Sequence, residues 1–94
     1  MTKPAEFLQE AITTQQQRGK QAGYDNGEER SAAQIAEVFN ALTGHQLTEQ
    51  DAWLFLICLK LVRSCKKYQH DSIVDLCGYA SLYGEAQSAQ INDC

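Results

Sequence analysis

The segment Ala52-Trp-Leu-Phe-Leu-Ile-Cys-Leu59 is apolar at all eight of its positions, and it constrains this chain more than any other feature. It falls well short of the roughly 20 apolar residues that a membrane helix needs. Thr48 with Asp51 three residues on resembles a capping box, with Asp where Glu or Gln is usual, so the spacing predicts a helix over 49–67. A helix apolar nearly all round is either central to its fold or covered by another subunit. The chain has 94 residues, enough for one domain with a modest core. Three neighbouring helices do not wrap so apolar a helix fully, and self-association is expected.

The rest of the chain also reads as helix. Six Gly and a single Pro leave few breakers, and no segment carries the period of a strand. A first helix is expected over 4–18, with Pro4 in its opening turn and Phe7, Leu8, Ala11 and Ile12 as its apolar stripe. A loop with three glycines follows, from Gly19 to Arg30. Loops of this length within a compact domain are usually functional or mobile. Ser31 is the expected N-cap of the second helix, Ile35, Val38, Phe39 and Leu42 its inward stripe, and Gly44 its stop. A fourth helix, over 72–85, is capped by Asp71 or His70 and turns Ile73, Leu76, Cys77 and Ala80 inward. Gly78 there would permit a close helix approach, and Gly84 would end or fray the helix. The expected architecture is an all-α bundle of three to four helices, assembled as an oligomer. Residues 1–85 form its single domain, and 86–94 a flexible tail.

Charge and cysteine usage narrow the setting. A net charge of −4 counts against general binding to a phosphate backbone, though not against a local basic patch. No apolar stretch near the N-terminus is long enough for a signal peptide, so the expectation is a soluble cytoplasmic protein with no membrane partner. Cys58 and Cys65, on one helix, would stand roughly 10 Å apart. A disulfide tolerates about 7 Å between Cα atoms. Cys58, Cys65 and Cys77 are therefore read as small core hydrophobes, and Cys94 as a terminal thiol.

Three clusters have the residue types for chemistry. Asp71 and Asp75 lie four apart on one helix face, with Tyr79 one turn further. Two carboxylates so placed can share one Mg²⁺ while leaving waters for a phosphate. Equally, an acid in a first helical turn answers the positive end of the helix, which suits Asp71 better than Asp75. The loop region Arg18-Gly-Lys20, Tyr24-Asp-Asn-Gly27 and Glu28-Glu-Arg30-Ser31 has the donors to clamp a small anion, or is a solvated connection ending in a cap. Lys60, Arg63, Lys66 and Lys67 crowd the end of the third helix, where cations complement the dipole. If the fourth helix folds back antiparallel, they come near Asp71 and form ion pairs or a mixed-charge pocket. No nucleophilic triad is present.

Several segments resemble a family of small tailed-phage proteins of unknown function: Gln17-Arg-Gly-Lys-Gln21, Tyr24-Asp25, Gly27-Glu-Glu-Arg-Ser31 and Phe39-Asn-Ala-Leu-Thr-Gly44. Leu47-Thr-Glu-Gln50, Trp53-Leu-Phe55, Leu59-Lys-Leu-Val-Arg-Ser64 and Asp71-Ser-x-x-Asp-x-x-x-Tyr-Ala80 extend the resemblance over residues 15–85. It implies a phage accessory protein at work in the cytoplasm of an infected bacterial host. A weaker similarity joins the fourth-helix pattern to the last metal-binding helix of MazG-like nucleoside triphosphate pyrophosphohydrolases. Those enzymes add a Glu-x-x-Glu pair on an earlier helix, where this chain offers Glu37 alone.

Two readings follow. The leading one is a non-catalytic, cofactor-free accessory protein, homo-oligomeric, that binds a host factor or small nucleotide as a counter-defence device. Arg18, Lys20, Tyr24, Arg30, Lys60, Arg63 and Tyr79 would contact the ligand. The alternative is a divergent Mg²⁺-dependent nucleotide pyrophosphohydrolase working across a subunit interface, with Glu37, Asp71 and Asp75 on the metal and Lys60 and Arg63 neutralising phosphate charge.

Overall fold

In the computed structural model the described residues, 1–21 and 31–92, form four helices and no strand. They are α1 (Pro4–Gln21), α2 (Ser31–Thr43), α3 (Glu49–Lys66) and α4 (His70–Asn92). The cap of α3 is as expected. The Asp51 N–H donates to Thr48 Oγ1 at 3.2 Å, and the Thr48 N–H donates to Asp51 Oδ2 at 2.9 Å. Gly44 ends α2 with φ +78°, a left-handed turn that glycine takes at no steric cost. Asn40 then ties down the link to α3: its side chain donates to the Leu47 carbonyl and accepts from the Leu47 N–H, both at 2.9 Å.

The helices form an open row rather than a closed bundle. α3 packs on α4, α1 packs on the other flank of α4, and α2 packs on α3. The pairings Lys60 to Asp75 and Trp53 to Tyr79 run in opposite directions along the chain, so α3 and α4 are antiparallel. Phe7 and Glu10 meet His70 while Gln15 meets Ser81, so α1 runs parallel to α4. Among the described residues the outer helices α1 and α2 thus each pack chiefly on one neighbour, and the Cα radius of gyration, 14.3 Å, exceeds the about 12.4 Å typical of a compact chain of this length.

The core is small and rich in alanine. Ala32 and Ala36 of α2, Ala52 and Trp53 of α3, and Leu82 and Ala86 of α4 form it, with Leu56, Tyr79 and Tyr83 packed against it. Trp53 is its centre at 2% exposure, tilted against Tyr79 with ring centroids 5.7 Å apart. Alanine at the contact lets helix axes approach closely, towards the short end of the usual 8–10 Å.

Several expectations about facing are corrected. Ile35, Val38, Phe39 and Leu42 do not face the core; all four are exposed, and Ala32 and Ala36 take their place. Cys58 and Cys65 are exposed and Cys77 is half-buried, all as free thiols, so the first two are not core residues of this chain. On α4, Ser72, Val74, Asp75, Leu82 and Ala86 are buried while Ala80 is exposed. A helix sandwiched between two others buries two faces, and a single inward stripe misses one of them. Gly78 admits no close helix: a Cβ there would meet nothing within 4 Å. Gly84 does not stop α4, which continues to Asn92 with Ala86 buried. Gln69, rather than Asp71 or His70, precedes the first turn of α4, and its carbonyl accepts from the Ser72 and Ile73 N–H groups. No helix among the described residues is long and apolar enough to cross a membrane.

Candidate functional site

The antiparallel return of α4 brings the basic end of α3 against the acidic start of α4. At their junction Lys60 Nζ lies 2.8 Å from Asp75 Oδ2, and Arg18 of α1 reaches across to place Nη2 3.2 Å from Asp75 Oδ1. Each carboxylate oxygen therefore has its own cation. The Asp75 side chain is 8% exposed, that of Lys60 14%, and that of Arg18 42%. Asp75 and Lys60 form a largely desolvated pair, and Arg18 closes it from the solvent side. Among the described residues no buried side-chain nitrogen or oxygen lacks a hydrogen-bond partner, as a stable buried charge cluster requires.

The three-charge cluster forms one wall of a cavity of about 440 Å³. Arg63 of α3, Thr14 of α1, and Gln69, Asp71, Ser72 and Val74 at the start of α4 complete its lining. Ser72 is buried and donates through Oγ to Gln69 Oε1 at 2.9 Å. Counting Arg18, Lys60 and Arg63 against Asp71 and Asp75, the lining has one positive charge in excess on a chain of net charge −4. Arginine offers five N–H donors and lysine three, so both cations keep donors beyond those turned to Asp75.

The structure gathers some expected site residues and separates others. Arg18, Lys60, Arg63, Asp71 and Asp75 line one cavity. Tyr79 lies instead against Trp53, beside a crevice of about 20 Å³ next to Arg18 and Asp75. Tyr24, Arg30, Glu28, Glu29 and the side chain of Lys20 lie outside the described residues. Glu37 is exposed on α2, which among the described residues packs chiefly on α3. Among the described residues of one chain no three His, Cys, Asp or Glu side chains gather as metal ligands, and Glu37 stands apart from Asp71 and Asp75. Both oxygens of Asp75 face cations, and a divalent ion there would have to displace Lys60 and Arg18.

Sequence reasoning missed Thr14, Gln69 and Ser72. Thr14 sits one turn before Arg18 on the same face of α1, and the three-residue spacing of Gln69 and Ser72 marks a helix start. Either spacing was a readable signal once Arg18 and Asp71 had been singled out.

Residues 6–87 match the family described as a domain of unknown function, DUF6378. The chain belongs to that family. The matched span takes in all nine residues that line the cavity, from Thr14 to Asp75. No curated protein and no solved structure matches the chain.

Proposed function

We propose that this DUF6378 member is a non-catalytic accessory protein whose cavity between α1, α3 and α4 binds a small phosphorylated ligand, with nucleotides as the first class to test. The observation that carries the reading is the clamp on Asp75. One buried carboxylate holds Arg18 and Lys60 on the wall of a cavity that Arg63 also lines. Cations held in place before the ligand arrives lose little conformational entropy on binding, and a planar guanidinium matches phosphate oxygens two at a time. The resemblance to small tailed-phage proteins supports a setting for such binding in an infected bacterial host. Sequestering a signalling nucleotide there would act as counter-defence.

The reading is tested by calorimetric titration with orthophosphate, pyrophosphate, a nucleoside mono- and a nucleoside triphosphate. At least one binds, more weakly as salt rises. Arg63→Ala reduces that affinity about tenfold or more, as expected for loss of a charge-assisted hydrogen bond. Its unfolding midpoint is unchanged, because Arg63 is exposed. No binding up to millimolar ligand overturns the proposal. Pyrophosphate release in the presence of Mg²⁺ would replace it with the hydrolase reading.

A further inference from the structure

α1 is attached differently from the other three helices. The core cluster takes its residues from α2, α3 and α4 and none from α1. Among the described side chains of α1 only Ala11 is buried; Phe7, Thr14 and Gln15 are half-buried, and Leu8 and Ile12 are 56% and 52% exposed. Packing of an apolar face supplies most of the stability of a helix in a protein, and α1 has little of it.

The seam beneath α1 is also loosely filled. Four cavities, of about 20 to 440 Å³, each have α1 for one wall and α4 for another. Gly78 of α4 lines two of them, and a Cβ added there would meet nothing within 4 Å. What joins the two helices is mostly polar. Arg18 meets Asp75 at 3.2 Å, Gln15 Nε2 donates to Ser81 Oγ at 3.2 Å, and the Glu10 carboxylate meets His70 Nε2. The Glu10 and Arg18 side chains are exposed, and water readily replaces such contacts.

We infer that α1 is a strap over the cavity: it lifts from α4 as a unit while α2, α3 and α4 stay folded, and its return completes the phosphate site by delivering Arg18 and Thr14 to the wall. Segments with few buried apolar contacts open at a lower free energy than the whole chain. Asp75 permits the opening. When Arg18 leaves, Lys60 remains 2.8 Å from the other carboxylate oxygen, so no buried charge is stranded. A ligand that needs Arg18 binds the closed form and shifts the population towards it. The closing role rests on the reading of the cavity as a phosphate site; the opening does not.

Native-state hydrogen exchange on the full chain tests it. Amides at 8–18 exchange together, on the order of 100-fold faster than those at 52–59. Asn40→Ala loosens the α2–α3 link, so it speeds exchange at 52–59 about fivefold or more and leaves 8–18 unchanged. A chain that opens only as a whole speeds up alike in both segments, and that result overturns the inference. Should Asn40→Ala fail to fold, low urea decides on the unsubstituted chain. Exchange at 52–59 then rises steeply with urea and exchange at 8–18 shallowly, because lifting one helix exposes little surface. Equal slopes overturn the inference too. Pyrophosphate at ten times its Kd slows exchange at 8–18 about tenfold, since it must wait for closure. Pyrophosphate that binds without slowing 8–18 overturns the strap. If no phosphate ligand binds, the reading of the cavity falls, while separate opening of 8–18 still upholds the strap.

Discussion

Lys60 of α3 and Asp75 of α4 stand 15 positions apart in the chain and meet at 2.8 Å, both side chains largely out of water. The hairpin of α3 and α4 makes that meeting obligatory. With α4 folded back along α3, a residue near the end of one helix faces a residue near the start of the other. Arg18 then arrives from α1 at 3.2 Å, so three helices converge on one carboxylate. The same convergence builds the wall of the candidate binding cavity, and stability and binding are expected to be linked there.

Removing the carboxylate is expected to be the costliest change in that cluster. Asp75→Ala leaves the 14%-exposed Lys60 without its partner and destabilises by about 3 kcal/mol. Lys60→Met costs less, about 1–2 kcal/mol, because Arg18 still holds Asp75. Urea unfolding of both single variants and the double should give a coupling of at least about 1 kcal/mol. Strict additivity would mean that the two side chains do not act as a pair.

Trp53 is the only tryptophan, and it sits in the middle of an alanine-rich core. Its emission is expected to be blue-shifted in the native state and to move red on unfolding. Trp53→Ala opens a void that the surrounding alanines cannot fill, at a cost of about 3–5 kcal/mol. A variant that unfolds at nearly the native midpoint would contradict this placement.

Asn40 holds the α2–α3 link through two hydrogen bonds to the Leu47 backbone, each 2.9 Å. Asn40→Ala is expected to cost about 1–2 kcal/mol, the net worth of two such bonds. Asn40→Asp keeps the acceptor for the Leu47 N–H but loses the donor to its carbonyl, and should fall between. Thermal unfolding of the three proteins gives the order directly.

Gly84 lies within α4, exposed, with open space around the position of an added Cβ. Gly84→Ala should therefore stabilise the chain by about 0.5–1 kcal/mol through helix propensity. That corresponds to a rise of a few degrees in Tm. A fall in Tm would mean that the glycine serves a contact outside the single chain.

Local signals were legible in the sequence wherever one short segment contains both partners of an interaction. Thr48 with Asp51 and Gly44 after Thr43 predicted the end of one helix and the start of the next, and both hold. Of Lys60, Arg63, Lys66 and Lys67, expected near Asp71, Lys60 pairs with Asp75 instead, and Arg63 lines the same cavity as Asp71. That choice depends on which face of α4 turns to α3, which no spacing within α4 reveals. Arg18, at the expected end of the first helix, was grouped with the following loop as an anion contact, because nothing nearby in the chain points it to Asp75.

The chain's residue pattern alone determined four helical segments, the cap of α3, the glycine stop of α2 and the apolar run Ala52–Leu59. These follow from periodicity and from backbone groups that seek partners within a few residues. Only the tertiary structure decided which faces are covered. It buries Ala32 and Ala36 while Ile35 and Leu42 stay outside, because close helix contact favours small side chains over large ones. It also decided that Asp75 faces two cations, since a charge leaving water is stable only where other helices bring the opposite charge to it.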